Sequence, residues 1–286
     1  MKKKFSDQII IDGLQYCNWN RELFEDVRKG GLTAIHATLV YWENTEESFE
    51  KIKEWDLRFE ENKDIICHAK TTNDILEAKK NNKVAILFGF QNSAPIANDI
   101  YLLESFFQKG LRFMQLTYNN QTPLAGGCFE PKDSGVSRFG KVVIEEMNRL
   151  GMIVDLSHAG KQTCLDAIHH SSQPVAISHA NPNFFHQSLR NIDDDVLIEL
   201  AKKNNLPDRV IDFIRTHHGT SLVYYFYRKA YEVDETVNRE DFQYPGPIPY
   251  SKETAILMMS DSVEAASKRL KNTTFTTINQ FVDKII

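Results

Sequence analysis

A strand pattern that occurs twice, each time followed by serine and histidine, most constrains the fold of this chain. The apolar runs Met152–Leu156 and Pro174–Ile177 each have the length of a buried strand and lead into Ser-His and a small residue. Residues Lys161–His170 between them have room for a crossover helix, which predicts a β-α-β unit with parallel strands. His158 and His179 would then lie at the same edge of one sheet, where α/β proteins build their sites.

Two imidazoles at one sheet edge suggest a metal site. A single histidine at a strand end is more often a hydrogen-bonded structural residue, so the hypothesis depends on the pair. Catalytic metal sites use about three protein ligands and leave a position for water. At this point the residues leave both interpretations of the pair open.

The first two hundred residues alternate between strand-like and helical patterns, which is typical of a mainly parallel sheet with helical crossovers. A (β/α) TIM-type barrel and a doubly wound sheet both fit this alternation. The predicted strands are Gln8–Ile11, Ala34–Val40, Ile65–His68, Val84–Phe90, Phe113–Thr117, Met152–Leu156 and Val175–Ser178. The predicted helices are Arg21–Lys29, Thr45–Asn62, Thr72–Asn81, Asp99–Gln108, Lys141–Leu150 and Lys161–His170.

From about residue 200 onward the sequence predicts helices and no further strand of the barrel kind. We therefore expect two domains, an α/β barrel piece at residues 1–200 and an all-α segment at residues 201–286. The helical patterns around and after this boundary are Asn191–Asn204, Leu206–Arg215, Thr254–Ala266 and Lys271–Ile286.

Composition and charge narrow the class of partner. The formal net charge of -5 argues against a general nucleic-acid or anionic-membrane surface. The apolar run Ile9–Ile11 is too short for a signal peptide, and no stretch reaches the roughly 18 apolar residues of a membrane span. We expect a cytoplasmic protein with a small-molecule substrate. Four widely spaced cysteines without a CxxC pair indicate neither a disulfide framework nor a zinc knuckle.

Six motifs over the first two hundred residues resemble the membrane (renal) dipeptidase family of zinc metallopeptidases, which are (β/α) barrels. They occur in the order of that family. They are IIIDG at Ile9–Gly13, LFGF at Leu87–Phe90, RFMQLTYNN at Arg112–Asn120, EMNRLGMIVDLSH at Glu146–His158, ISHANP at Ile177–Pro182, and LRN followed by DDV at Leu189–Val196.

The resemblance implies a reduced metal site. In the family a His-x-Asp pair after the first strand, a bridging glutamate and two later histidines hold two metal ions. The later pair matches His158 and His179, whereas Leu14 and Tyr16 stand at the His and Asp positions and Gln91 at the glutamate. Because a neutral amide lacks the charge that holds two cations together, we expect at most one zinc ion, bound by the two histidines and weakly by Gln91.

The resemblance also implies substrate-binding residues. Arg190 matches the arginine that binds the substrate carboxylate, and Tyr118 stands in place of a substrate-binding histidine. An alternative for Arg190 is an ion pair with the acidic run Asp193–Asp195. The catalytic base is unassigned, because Gln91 cannot take up a proton at neutral pH.

The C-terminal third resembles the end of the HD-domain phosphodiesterases of cyclic di-AMP, which follow seven transmembrane helices in some bacteria. The segments that carry this resemblance start at Ala201, Tyr244 and Val282. It implies His217, His218 and Asp261 as candidate ligands of a second metal site. The HD dipeptide of that family is absent from this sequence.

Three hypotheses follow for a truncated TIM-type barrel of about six βα units with an all-α segment behind it. The first is a dipeptidase-like metallohydrolase of dipeptides or similar small substrates, with weakened or lost activity. The second is an HD-type phosphodiesterase fragment, and the third is a non-catalytic small-molecule binding protein. Two further βα units of the family's barrel are absent, so we expect an open edge beside Val175–Ile177. Either the helical tail covers this edge, or a partner such as a second copy in a homo-oligomer covers it, or the open edge lowers the stability of the protein.

Overall fold

The computed structural model describes residues 8–183, 187–208, 211–212, 216, 218–244 and 246–267, without the side chains of residues 225 and 261–267. The chain divides into two compact units, Met1–Lys203 and Asn204–Ile286. All four cysteines are free thiols. Within the described part of the chain, no helix is both long enough and apolar enough to cross a membrane.

In the first unit, strands and helices alternate along the chain. The strands are β1 (Ile11–Gln15), β2 (Ala34–Val40), β3 (Ile66–His68), β4 (Val84–Phe90), β5 (Leu111–Gln115) and β6 (Ile153–Asp155). The helices are α1 (Arg21–Lys29), α2 (Thr45–Glu61), α3 (Thr72–Lys80), α4 (Tyr101–Gln108), α5 (Arg138–Leu150), α6 (Lys161–His170) and α7 (Asp194–Lys203).

All pairs in the sheet are parallel, in the order β1-β2-β4-β5-β6 with β3 added beside β4. Strand β2 pairs along one edge of β4, and the other edge is shared by β3, opposite Val84–Ile86, and β5, opposite Phe88–Phe90. Apart from β3, the strands follow chain order, without the reversal of a doubly wound sheet. The result is a parallel half-barrel with helical crossovers, so the predicted truncated barrel is confirmed.

The core lies between the sheet and its helices. Every residue of β2 and β4 is buried, which explains why these two strands are continuous apolar runs. The largest buried side chains are Phe24, Phe88, Phe90 and Phe106. Two crossover helices begin at capping boxes, Asn44 with Glu47 for α2 and Thr71 with Asp74 for α3, which satisfy the free backbone N–H groups there.

The two ends of the sheet approach each other. The chain after β6 makes a parallel bridge from Ala176 to Asp155, and Ala176 N donates to Val154 O at 2.9 Å. Gly13 of β1 lies against the next turn of this segment, because a Cβ at position 13 would be 2.7 Å from the carbonyl oxygen of Ser178. The edge that the sequence predicts to be open therefore meets the first strand at this point.

Three predicted strands differ from the structure. Strand β1 lies further along the chain than the predicted Gln8–Ile11, because backbone pairing with β2 holds it, and Ile9 and Ile11 are 41% and 49% exposed. Strand β5 begins at Leu111, earlier than the predicted Phe113. The predicted strand Val175–Ser178 forms only the isolated bridge at Ala176.

The second unit is helical in its described residues, as predicted. It contains α8 (Tyr224–Val233), a short 3-10 helix at Arg239–Phe242 and α9 (Lys252–Ser267). A single antiparallel bridge joins Leu222 to Gln243. The predicted helix Lys271–Ile286 lies outside the described residues, as does part of Leu206–Arg215.

Candidate active site

A cavity of about 1040 Å³ lies at the carboxyl ends of the strands. This is the edge where parallel α/β folds place their functional groups, because loops of many strands converge there. Its lining residues lie in or after β1, follow β2, β4, β5, β6 or the segment that bridges to β6 at Ala176, or belong to α2. They are Leu14, Tyr16, Tyr41, Trp42, Glu43, Glu47, Glu50, Lys51, Glu54, Gln91, Tyr118, His158, His179 and Arg190.

The two strand-end histidines lie side by side in this cavity. His158 follows β6, and His179 follows the segment that bridges to β6 at Ala176. Their Nε2 atoms are 2.9 Å apart. The β-α-β arrangement thus brings together the two imidazoles that the repeated pattern singles out.

Hydrogen bonds at the opposite ring nitrogens determine which tautomers the two histidines adopt. His158 Nδ1 lies 2.7 Å from Asn119 Oδ1, a carbonyl oxygen, so this nitrogen is the donor. Ser178 Oγ donates to the Asp155 carboxylate and therefore accepts from His179 Nδ1 at 2.7 Å. With both protons on Nδ1, both Nε2 lone pairs point into the same space, as in a pair of metal ligands.

A buried carboxylate supports this arrangement. Asp155 is 1% exposed and accepts hydrogen bonds from Ser157 N (3.0 Å), Ser157 Oγ (2.8 Å), Ser178 N (3.1 Å), Ser178 Oγ and Gln115 Nε2 (3.2 Å). Burial alone would raise the pKa of Asp155, but the bonds from the two serines outweigh it and hold this pKa below its usual value. Asp155 thereby fixes both Ser-His segments to the end of β6.

Both imidazoles are neutral at physiological pH. Burial lowers the pKa of His158 to about 3, with the Arg190 cation contributing further. Burial likewise lowers the pKa of His179 to about 4. A neutral imidazole is the form that binds metals, so the protonation state suits the pair for that role.

The backbone at this site is unusual. His158 has φ of 68° and Asn119 has φ of 64°, both in the left-handed region that residues other than glycine seldom adopt. The two residues are hydrogen-bonded to each other, and the ring of Tyr118 stacks on His158 at 4.2 Å between centroids. Tyr118 therefore covers one face of the histidine at the predicted substrate position.

Arg190 is bound at the cavity through a backbone carbonyl. Its Nη2 donates to His179 O at 2.8 Å, whereas Nη1 is buried and has no hydrogen-bond partner among the described residues. The alternative of an ion pair with Asp193–Asp195 is wrong, because Lys161 takes that position, at 3.2 Å from Asp193 and 2.8 Å from Asp195. Arg190 thus lines the same cavity as the two histidines, and its second guanidinium nitrogen is enclosed and without a hydrogen-bond acceptor among the described residues.

The first-metal region is apolar and aromatic. Leu14 and Tyr16 line the cavity where the family resemblance implies a histidine and an aspartate. Asp12 is used locally, accepting from Leu14 N (3.0 Å) and Gln15 Nε2 (2.7 Å) as a turn-forming side chain at the strand end. Gln91 donates through Nε2 to Thr38 Oγ1 at 3.0 Å, so only its carbonyl oxygen remains for a ligand.

These donors do not fit a two-metal centre. Among the described residues no three histidine, cysteine, aspartate or glutamate side chains come together as a metal site. A pair of divalent cations needs carboxylate charge between them, and the cavity offers an amide and a phenol at those positions. His158, His179 and Gln91 all line the cavity, and a mononuclear site formed by the three stays a prediction.

The second predicted metal site is not assembled in the described structure. His217 and the side chain of Asp261 lie outside the described residues. The ring of His218 stacks on Tyr244 at 4.2 Å between centroids. These three candidates therefore stay a prediction.

Sequence reasoning missed several residues of the cavity. Tyr41 and Trp42 follow β2 directly, so the strand-end rule that singled out the histidines would also have found them. Asn119 and Asp155 lie within quoted motifs, but their roles depend on contacts between strands that no local pattern records.

A half-barrel with paired histidines at its strand ends fits the (β/α)-barrel architecture of the dipeptidase-like metallohydrolase class. The sequence profile of Membrane dipeptidase (Peptidase family M19) matches residues 21–285. The chain belongs to this family.

Individual relatives match parts of the chain. Mouse Dipeptidase 3 is 38% identical over 128 residues, which cover 43% of this chain and 26% of that protein. The crystal structure of an amidohydrolase from Pseudomonas aeruginosa superimposes with a TM-score of 0.68 at 40% identity, covering 70% of this chain and 61% of that one. Cyclic-di-AMP phosphodiesterase PgpH of Listeria monocytogenes is 44% identical over 88 residues, 31% of this chain and 12% of that protein. Each match spans less than two thirds of the relative.

Proposed function

We propose that this protein binds dipeptides or similar small acids in the strand-end cavity and hydrolyses them weakly or not at all. Arg190 would receive the carboxylate of the ligand, and Tyr118 would contact the ligand beside His158. The proposal combines membership of the dipeptidase family with a cavity that keeps its substrate side and has lost most of its metal ligands.

The free guanidinium nitrogen of Arg190 is the observation that carries this proposal. A buried donor of a charged group without a partner costs free energy, on the order of 1–3 kcal/mol or more. Nη1 is enclosed in the ligand-free protein, so a turn of the guanidinium toward the cavity on binding would let a carboxylate accept a charge-assisted hydrogen bond from it. This arrangement fixes the acid end of a ligand next to the histidine pair.

Weak hydrolysis follows from the groups that remain. His158 and His179 would hold at most one zinc ion, with the Gln91 carbonyl as a poor third ligand. When bound, such an ion would polarise a substrate carbonyl or a water molecule. Gln91 cannot accept a proton, and the described carboxylates that line the cavity follow β2 or belong to α2, so in this proposal the chain's own residues bind and orient the ligand more than they activate a nucleophile.

Calorimetric titration of metal-free protein with alanyl-alanine tests the binding step. We expect saturable binding by the wild type and at least a tenfold loss in Arg190→Gln, because the variant removes the charged fork. Arg149→Gln is the matched control, since Arg149 forms only exposed ion pairs with Glu146 and Glu104.

Hydrolysis of the same dipeptide, measured with and without added zinc, tests the catalytic step. We expect little or no turnover in either condition. Fast zinc-dependent turnover that disappears in His158→Ala would overturn the proposal of a weakened site, whereas equal binding by wild type and Arg190→Gln would overturn the role of Arg190.

The domain division and the alternative function are also proposals. We propose that residues 1–200 form the ligand-binding domain and residues 201–286 a separate helical domain, in line with the two compact units. The phosphodiesterase alternative has the partial likeness to PgpH as its support. The cytoplasmic location and the homo-oligomer stay predictions.

A further inference from the structure

Four aromatic rings follow one another around the cavity wall. They are Tyr16, Tyr41, Trp42 and Tyr118, named here the aromatic cage, and all four line the cavity. Ring centroids are 5.5 Å apart for Tyr16 and Tyr41, 5.8 Å for Tyr41 and Tyr118, and 5.1 Å for Trp42 and Tyr118. They come from the ends of three strands, so the fold and not local sequence brings them together.

The rings do not stack on each other. The three pairs meet at interplanar angles of 79°, 77° and 87°. In an edge-on pair, the ring that presents its edge has neither face covered by its partner. Tyr118 has one face stacked on His158, so the π faces available to a ligand are mainly those of Tyr16 and Trp42. Tyr16 and Trp42 are 69% and 60% exposed, which means that burial of these two rings contributes little to folding.

A carboxylate is built into the same wall. Glu43 Oε2 accepts from Tyr41 N at 2.7 Å and from Trp42 N at 3.0 Å, which holds its charge at the base of two cage rings. Helix α2 adds further glutamates to the cavity lining. Lys51, the basic residue of α2 among the described lining residues, is paired with Glu54 at 3.3 Å. The described lining residues thus include four glutamates and one lysine besides Arg190, with Glu50 and Glu54 also paired to Lys53 and Arg58 outside the lining.

Aromatic faces beside a carboxylate are a combination that binds organic cations. A cation within about 6 Å of a ring centroid is attracted by the ring quadrupole, and quaternary ammonium groups are recognised by several rings at once. Tyr16 stands where the family resemblance implies a metal-binding aspartate. At this position the cavity therefore has an aromatic ring in place of a carboxylate that would bind a metal ion. Aromatic rings suit a large, weakly hydrated cation.

We propose that the aromatic cage binds the ammonium group, best when methylated, of a small zwitterion whose carboxylate binds Arg190. This proposal rests on the ligand-binding role of Arg190 and specifies the other end of the ligand. A methylated ammonium needs no hydrogen-bond acceptors, which matches a wall made of ring faces with one anchored carboxylate.

Two ligands of the same shape separate the contribution of the positive charge to binding from the contribution of the remainder of the ligand. Trimethylglycine carries a quaternary ammonium and a carboxylate, and 3,3-dimethylbutanoate replaces the nitrogen by carbon and keeps the carboxylate. In calorimetric titrations we expect trimethylglycine to bind about tenfold or more tightly than the isostere, whose tert-butyl group is uncharged, within the range of cation–π contributions. Its methyl protons should also shift upfield in NMR spectra, because ring currents act on protons that lie over ring faces.

Variants test whether the difference in affinity between the two ligands arises in the aromatic cage. Trp42→Leu keeps an apolar side chain without a π face and should weaken trimethylglycine about three- to tenfold, with little change for the isostere. Tyr101→Leu is the matched control, because Tyr101 is 81% exposed and outside the cavity lining. Arg190→Gln should weaken both ligands alike.

Each outcome decides between the two proposals. Equal affinities for the two ligands, or an unchanged trimethylglycine affinity in Trp42→Leu, would refute the cage. If both ligands fail to bind while alanyl-alanine binds through Arg190, the cage proposal is refuted and the proposed function stands. If alanyl-alanine fails as well, both are refuted.

Discussion

Gly13 and Ser178 bring the first strand of the half-barrel against the last bridging segment, with space between them for a hydrogen atom and not for a methyl group. A Cβ at position 13 would be 2.7 Å from the Ser178 carbonyl oxygen, a backbone atom that cannot move aside like the end of a side chain. Because Ser178 directly precedes His179, this contact also positions the histidine pair.

Gly13→Ala should therefore destabilise the protein and disturb the cavity. Forcing a methyl group against a backbone atom costs about 1–3 kcal/mol, measured as a lower urea midpoint. Gly30→Ala is the control, because its nearest contact is 3.3 Å from Asp26 O in an ordinary helical conformation. Equal midpoints for the two variants would show that the contact does not constrain the sheet.

Asp155→Asn should be among the most destabilising conservative substitutions in the chain. The amide would present a donor to groups that already donate, leaving buried polar atoms unpaired at a cost on the order of 3 kcal/mol. Chemical denaturation at pH 7 measures the loss, and the exposed Asp56→Asn of α2 is the control.

The same pair of proteins gives a pH test. The pKa of Asp155 is lower in the folded state than its ordinary value of 3.8, so the unfolded state takes up the proton first on acidification. The stabilisation is complete above that value and disappears as the pH falls through the folded pKa. The stability difference between wild type and Asp155→Asn should narrow in that acidic window, and a difference that widens there would contradict the assignment.

His68 should contribute to loss of stability in mild acid. Burial, with help from the nearby Lys70 and Arg112 cations, lowers its pKa to about 4 from an unfolded value near 6.5. Its neutral form stabilises the fold fully above pH 6.5, and this term is lost as the pH falls toward 4. At pH 5 the loss is at most about 2 kcal/mol.

His68→Phe isolates this term because it keeps the ring between Phe59, at 5.0 Å, and Phe88, at 4.1 Å. Thermal unfolding between pH 7 and pH 5 should change less in this variant than in the wild type. His169→Gln is the control, since its side chain is 65% exposed. Parallel curves for wild type and His68→Phe would refute the prediction.

Restoring the lost ligands should restore metal binding. The triple variant Leu14→His, Tyr16→Asp and Gln91→Glu adds an imidazole and two carboxylates to the existing histidine pair. Elemental analysis after dialysis should find more zinc per chain than in the wild type, and adding His158→Ala should reduce it again. An unchanged metal content would mean that these positions do not converge on His158 and His179.

The sequence predicts the buried elements best. The bounds of β2, β4, α1 and α6 coincide with the predicted ranges, because strands buried on both faces are continuous apolar runs and the helices have clear ends. Strand β1 is misplaced because its residues are held by backbone pairing and carry no apolar signal. The strand predicted at Val175–Ser178 has a clear apolar run, but it pairs with β6 only at Ala176 and so shrinks to one bridge.

For the site, the strand-end rule predicts that His158 and His179 meet, and the structure brings their Nε2 atoms to 2.9 Å. The pairing of Lys161 instead of Arg190 with the acidic run could not be predicted, because it depends on how α6 and α7 pack. The contact between Gly13 and Ser178 could not be predicted either. It joins two backbone segments far apart in sequence, and the only sign of it in the sequence is a glycine.

The paired left-handed backbones of Asn119 and His158 have a consequence for tolerance to mutation. At most buried positions, side-chain volume determines how well a substitution is tolerated, but at these two positions the backbone angle φ determines it. In a saturation scan scored by folded yield, the best-tolerated replacements should be glycine and aspartate at both positions, with asparagine as well at position 158, and the worst should be valine, isoleucine and threonine. In the adjoining strands β5 and β6 the order of tolerated residues should be the reverse, with β-branched residues preferred. The scan should therefore distinguish these two positions from the strands that precede them.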